Sequence, residues 1–126
     1  VDVFNKRLEV PKYSRMVSFD EIEKNGFNLN LPLAARSSVA AWFDALDTAC
    51  ARVQACGAQA LVVSLGLDTF VGDPISTFGL GAADFSRLGA HLSALNLPTV
   101  FVFEGGYATT ELAVNTVNVL EGFEHG

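Results

Sequence analysis

The chain has 126 residues, of which half are apolar and 17% are charged, and this composition is typical of a globular domain with one buried core. Its net charge of −6 argues against a phosphate-binding surface, which needs clustered lysine and arginine, so we expect no nucleic-acid partner. No apolar run reaches the ~20 residues that cross a bilayer, and the N-terminus has no signal pattern, so we expect no membrane association. Cys50 and Cys56 lack the spacing of a disulfide framework or a zinc knuckle, which suits the cytoplasm.

The first 32 residues form the more charged part of the chain, and the composition changes near Pro32. Ser18 and Glu21 make a capping-box pattern, which predicts a short helix over residues 19–25. The stretch "YSRMVSF" before it predicts a short strand. We treat residues 1–126 as a single domain whose N-terminal segment, residues 1–32, is distinct from residues 33–126.

The rest of the chain alternates between helical and strand patterns. Apolar residues recur at helical spacing from Ser38 to Cys56, with Gly57 as a helix end. The continuous apolar run "ALVVSLG" then predicts a parallel strand covered on both faces. A second helix ends at Asn96, "PTVFVFEGG" predicts a second strand, and a last helix covers about residues 110–123. This order predicts an α/β fold, a three-layer fragment in which a short, mainly parallel sheet is flanked by helices.

Polar residues follow both predicted strands at the edge where ligands bind in open α/β sheets. The first strand leads into a long loop, from Gly66 to about Gly81, which carries Asp68 and Asp73. The second strand ends in "EGGY", which places Tyr107 on the same edge. The adjacent glycines of that motif let the backbone approach a ligand closely.

A carboxylate and a tyrosine at one edge suit metal-assisted hydrolysis. Asp68 could ligate zinc, and the Tyr107 hydroxyl could donate a hydrogen bond to the oxyanion of a tetrahedral intermediate. The alternative is structural, because aspartates in glycine-rich loops often form Asx turns or helix caps, and an exposed tyrosine is often a rim residue. The residues alone leave both interpretations open.

Four blocks of the sequence resemble the C-terminal part of the zinc-dependent deacetylases of the arginase–deacetylase fold, which include histone deacetylases and acetylpolyamine amidohydrolases. The blocks are "NLNLPL" (28–33), "LVVSLGLDTFVGDP" (61–74), "LPTVFVFEGGY" (97–107) and "VLEGF" (119–123), within residues 26–126. The resemblance implies that Asp68 stands at a zinc-ligand position and Tyr107 at that of the tyrosine that polarises the amide carbonyl. Gly105 and Gly106 would line the substrate site, and Asp73 would shape the loop.

The resemblance also implies that the catalytic centre is incomplete. The family's Asp-x-His zinc motif and histidine pair lie upstream of the matched part. Of the two histidines present, His91 falls in the middle of a predicted helix and His125 lies next to the C-terminus. One carboxylate cannot hold zinc, which normally takes three protein ligands. We therefore expect a truncated deacetylase-like domain of unknown function, without activity or a cofactor when isolated. Two alternatives stay open: a zinc-dependent deacetylase of acetyl-lysine or acetylpolyamine completed by a partner chain, and a plain interaction module.

A second resemblance concerns the N-terminal segment. The stretch "KYSRMVSFDEIEKNGFNLNLP" is similar to a segment of the modification subunit of type I restriction–modification DNA methyltransferases. It implies a chimera, in which residues 1–32 have a different origin from the deacetylase-like residues 33–126. No cofactor-binding or catalytic motif of a methyltransferase accompanies it.

The two predicted strands, residues 60–65 and 99–103, are apolar on both faces. Two strands are too few for a stable sheet, and unpaired edges recruit other chains. We therefore expect a homodimer that extends or completes the sheet.

Overall fold

A computed structural model describes residues 28–126 of the chain. Its elements, all within one compact unit that covers Leu31–Gly126, are helix α1 (Val39–Ala55), strand β1 (Leu61–Gly66), a 3₁₀ helix (Leu67–Thr69), helix α2 (Ala82–Ser93), strand β2 (Thr99–Glu104) and helix α3 (Thr109–His125). The α/β order predicted from the sequence is confirmed, and the element bounds agree to within three residues; the largest difference is the end of α2, predicted at Asn96 and observed at Ser93. The predicted helix over residues 19–25 and the strand before it lie outside the described residues.

Helix α1 begins and ends where its sequence predicts. The side-chain oxygen of Ser38 accepts a hydrogen bond from the N–H of Ala41 at 3.1 Å, which satisfies one of the free donors of the first turn. At the other end the N–H of Cys56 bonds to the carbonyl of Arg52, and Gly57 follows with φ of +71°.

Strands β1 and β2 run parallel in register, from Leu61 opposite Thr99 to Gly66 opposite Glu104. Among the described residues they form a two-stranded sheet, and α2 makes the crossover between them. Because the strands are parallel and end in register, the loops that follow them leave the sheet side by side. That edge is where the sequence predicts a functional site.

One face of the sheet is covered by a well-packed core. Phe85 of α2 and Val119 of α3 are fully buried, and the ring of Phe101 in β2 meets that of Phe123 in α3 edge-on, with centroids 5.2 Å apart. The buried apolar residues of this core cluster are Leu65, Leu67, Leu80, Phe85, Leu88, Leu92, Leu95 and Val119. Helices α2 and α3 contribute buried side chains to this cluster, and half-buried side chains of α1, such as Trp42 and Leu46, pack against it, so all three helices lie on the same face.

The opposite face of the sheet is exposed, whereas the continuous apolar sequence predicted cover on both faces. Successive side chains of a strand point to opposite sides, so Val62 points away from the core and is 71% exposed. Val100, its partner across the sheet, and Val102 are exposed in the same way. Within the described residues, nothing in the helical layer reaches this face. No helix among residues 28–126 is long and apolar enough to cross a membrane.

Candidate functional site

Asp68 lies at the carboxyl end of β1, in the 3₁₀ helix that continues the strand. Its carboxylate packs against two glycines: a Cβ on Gly105 would lie 2.5 Å from Oδ2, and one on Gly66 would lie 2.7 Å from Oδ1. Within residues 28–126 the carboxylate makes no hydrogen bond or ion pair. Asp68 therefore forms neither an Asx turn nor a helix cap, and its oxygens stay available to a ligand.

The two residues after β2 must be glycines, because their backbone has positive φ and neighbouring atoms leave no room for a Cβ. Gly105 and Gly106 have φ of +66° and +109°, a region that residues with a Cβ rarely adopt. A Cβ on Gly106 would lie 2.6 Å from Leu112 and 3.0 Å from Leu67, so this residue is wedged against apolar side chains. Gly105 is thus the glycine beside Asp68, while Gly106 faces the apolar interior. Whether either of them lines a substrate site stays a prediction.

Tyr107 follows the glycines on the same edge as Asp68, as the sequence predicts. Its side chain is 55% exposed, while its backbone N–H donates a 2.6 Å hydrogen bond to Oδ2 of Asp73. The backbone is therefore fixed and the phenol is accessible to a bound molecule. The catalytic role of Tyr107 and the zinc-ligand role of Asp68 stay predictions.

Asp73 joins the two loops of the edge and is only 6% exposed. Its Oδ2 accepts hydrogen bonds from the N–H groups of Tyr107 and Ala108, at 2.6 and 3.2 Å, and its Oδ1 accepts one from Ile75 at 3.0 Å. Burial disfavours the charged carboxylate, but these three hydrogen bonds outweigh that effect and lower the pKa of Asp73. The sequence indicated that Asp73 shapes its own loop. It gave no sign of the bond to Tyr107, because no local pattern links residues 34 positions apart.

Both histidines lie on helices. The Nδ1 of His91 in α2 is 2.7 Å from the carboxylate of Asp47 in α1, so this imidazole is engaged in a contact between two helices. His125 is the last residue of α3.

Comparison with known proteins shows which family this architecture belongs to. The model of the histone deacetylase domain matches residues 7–123. Acetylpolyamine amidohydrolase 2 of Pseudomonas aeruginosa is 54% identical over 99 residues, which are 79% of this chain and 29% of that protein. The acetylpolyamine amidohydrolase of Burkholderia pseudomallei is 39% identical over 115 residues, 88% of this chain and 34% of its own length. A crystal structure of the acetylpolyamine aminohydrolase from Burkholderia pseudomallei superposes with a TM-score of 0.77 at 41% identity, over 79% of this chain and 29% of that one.

The chain belongs to the histone deacetylase domain family. Its α/β fold is that of an acetylpolyamine aminohydrolase, which confirms the fold class predicted from the sequence. It spans about 29% of the length of the first curated relatives that it matches.

The expected methyltransferase segment has no support. The family match begins at residue 7 and so includes the whole stretch, residues 12–32, that carried this second resemblance. A capping-box pattern within about twenty residues occurs in many unrelated sequences, so the similarity was not specific. The division of the chain at residue 32 stays a prediction.

Zinc is the metal that membership of this family implies, and the described residues do not complete a site for it. No group of three or more His, Cys, Asp or Glu side chains among residues 28–126 could hold a metal ion. Asp68 offers one carboxylate, while three protein ligands are the usual minimum for a catalytic zinc.

Proposed function

We propose that this chain supplies part of an amide-hydrolase site and hydrolyses nothing by itself. Asp68 would provide one ligand to zinc, and Tyr107 would donate a hydrogen bond to the substrate carbonyl. One observation carries the proposal: the unpaired carboxylate of Asp68 and the accessible phenol of Tyr107 lie at the same edge of the sheet. The backbone of Tyr107 is held in place by a hydrogen bond.

The Tyr107 hydroxyl suits oxyanion stabilisation because it is exposed while its backbone is fixed. When an amide is attacked, its carbonyl oxygen gains negative charge, and a donor already in position stabilises that charge without reorganising. Removing one such donor typically lowers kcat by about 10²–10³-fold. The remaining zinc ligands and the general base would come from outside the described residues, such as a partner chain.

The substrate class that we propose is an acetylated amine, either acetylpolyamine or acetyl-lysine. Several relatives are named acetylpolyamine amidohydrolases, and this name is the support for the first. The net charge of −6, with Glu104 exposed beside the glycine pair, also favours a cationic substrate.

A cytoplasmic location is part of the same proposal. Cys50 and Cys56 are both free thiols, and Cys56 is exposed. Unpaired cysteines suit a reducing compartment, where disulfides rarely persist. Export of the full-length native protein to an oxidising compartment, detected by fractionation, would contradict this part.

A graft tests whether these residues can do chemistry. The stretch of Pseudomonas aeruginosa acetylpolyamine amidohydrolase 2 that aligns with this chain is replaced by the 99 matching residues. We expect the grafted enzyme to hydrolyse acetylpolyamine, Asp68→Asn to abolish both zinc retention and activity, and Tyr107→Phe to lower kcat by about 10²-fold or more.

The matched control is Asp44→Asn, which removes an exposed carboxylate on α1. It should leave zinc content and kcat unchanged. A folded graft that is inactive with all residues intact, or one in which Asp68→Asn retains zinc and activity, would contradict the proposed function.

A further inference from the structure

Asp73 makes an unusual set of contacts for a loop carboxylate. The bond from Ile75 to Oδ1 closes an Asx turn, which is a local feature of its own loop. The bonds from Tyr107 and Ala108 to Oδ2 instead reach the loop after β2, 34 and 35 positions away. Among the described residues, Oδ2 of Asp73 therefore bonds only to the segment that carries Tyr107.

The backbone on both sides of Tyr107 is constrained by independent contacts. Gly105 packs on Asp68, and Gly106 packs on Leu67 and Leu112. On the other side, the carbonyl of Ala108 accepts the first backbone hydrogen bonds of α3. Between these fixed points the N–H of Tyr107 is held by Asp73. Because the ring itself is more than half exposed, the direction of the phenol depends on this backbone more than on side-chain packing.

The charge of Asp73 suits its place. Ala108, the residue before α3, has no side chain that can cap the helix, and the first N–H groups of a helix carry a partial positive charge. The Asp73 carboxylate lies against that helix start through the N–H groups of Tyr107 and Ala108. It thus accepts the N–H of the N-cap residue Ala108 and that of the residue before it, and its negative charge lies at the positive end of α3.

We infer that Asp73 is a positioning residue that fixes the backbone of Tyr107 and so aims its hydroxyl at the site beside Asp68. The structural half of this inference stands on the observed contacts alone. Its catalytic half rests on the proposed function. The two halves are tested by separate measurements.

Amide hydrogen exchange, followed by NMR on the full 126-residue chain, tests the structural half. We expect Asp73→Ala to speed exchange at the Tyr107 and Ala108 amides by about tenfold or more, since each tenfold corresponds to ~1.4 kcal/mol of lost protection. Asp73→Asn keeps one acceptor oxygen and should give a smaller increase, and it serves if Asp73→Ala does not fold. The matched control is Asp84→Asn, which removes a carboxylate that accepts the N–H of Gly81 at the start of α2.

The Asp84→Asn control should leave exchange at Tyr107 and Ala108 unchanged. Unchanged exchange at these two amides in a folded Asp73→Ala or Asp73→Asn chain would overturn the inference. So would an equal increase in the Asp84→Asn chain, because the effect would then be general loosening.

The grafted enzyme tests the catalytic half through a double-mutant cycle. Asp73→Asn should lower kcat by about tenfold with little change in KM when Tyr107 is present, and by less than about twofold in the Tyr107→Phe background. Equal losses in both backgrounds would mean that Asp73 does not act through Tyr107. If the unmutated graft is inactive, the proposed function fails, while the exchange result still decides the structural half.

Discussion

The two faces of the β1–β2 sheet differ sharply. On one face, α2 and α3 approach so closely that a Cβ on Gly89 would collide with the carbonyl of Val119, and one on Gly122 with the carbonyl of Ser86. On the other face, Val62 and its neighbours on β2 are exposed. The covered face has the close packing of a protein interior. The exposed face is as apolar as an interior, but no described residues pack against it.

The candidate site lies at the edge of the sheet, and it too contains groups whose partners are absent from the described residues. Asp68 and Tyr107 present polar groups to a ligand, yet the described residues provide one potential zinc ligand. The loop after β2 packs on the covered side through Leu67 and Leu112, which holds its backbone in place. We propose that the groups missing from the site come from outside the described residues. Four predictions test this comparison, beginning with the largest expected effect.

Self-association through the exposed side of the sheet should be the largest effect. We expect a homodimer with a micromolar dissociation constant, about 8 kcal/mol of association free energy, because the exposed valines and sheet edges need a partner. Light scattering across a concentration series should show the mass rising from 13.4 kDa to twice that value. Val100→Lys should keep the chain monomeric, and Val71→Lys, at an exposed loop position, should not. A wild-type mass of 13.4 kDa at high micromolar concentration would contradict the dimer.

Gly122→Ala should strongly destabilise the covered side. The added methyl group meets the backbone of Ser86, so α2 and α3 must separate and lose packing. Overpacking of this kind typically costs 1–3 kcal/mol, and we expect a loss of about 3 kcal/mol in the free energy of unfolding, despite the better helix propensity of alanine. Chemical denaturation measures it.

The control for Gly122→Ala is Gly79→Ala, where an added Cβ would have no atom within 4 Å. Its effect should stay within about 0.5 kcal/mol. Equal stability of the two variants would mean that the helices do not pack as closely as described.

Asp73 should make stability depend on pH. Its pKa is lowered in the folded chain, so the charged carboxylate favours folding above its unfolded pKa of about 3.9, and this contribution is lost as the pH falls through the lower folded value. The denaturation midpoint of the wild type should therefore fall more steeply below about pH 4 than that of Asp73→Asn. Asp44→Asn should follow the wild type. Parallel curves for wild type and Asp73→Asn would show that Asp73 is not held as described.

Tyr107→Phe should have the smallest effect on folding. Its side chain is 55% exposed, and such substitutions usually change the free energy of unfolding by less than about 0.5 kcal/mol. The same urea titrations used for Gly122→Ala provide the measurement. A loss several times larger would show that the hydroxyl is a structural hydrogen-bonding group, and the catalytic assignment would weaken.

The sequence was most informative where local patterns decide the structure. Ser38 and Gly57 mark the two ends of α1, because helix caps act within one turn. The two apolar strand sequences place Asp68 and Tyr107 at one edge, because parallel strands end together. The hydrogen bond from the backbone N–H of Tyr107 to Asp73 could not be predicted, since it depends on how two loops meet. The exposed sheet face could not be predicted either, because an apolar strand sequence does not say whether its second face has found a partner.

Zinc content of the purified 126-residue chain is the most direct test of the central claim that the site is incomplete. We expect no stoichiometric zinc, because within residues 28–126 the single carboxylate of Asp68 leaves the coordination of the metal unsatisfied. Elemental analysis after exhaustive dialysis measures it, with Asp68→Ala as the paired variant. One tightly held zinc per chain, lost in Asp68→Ala, would contradict the claim and would mean that this chain completes its own metal site.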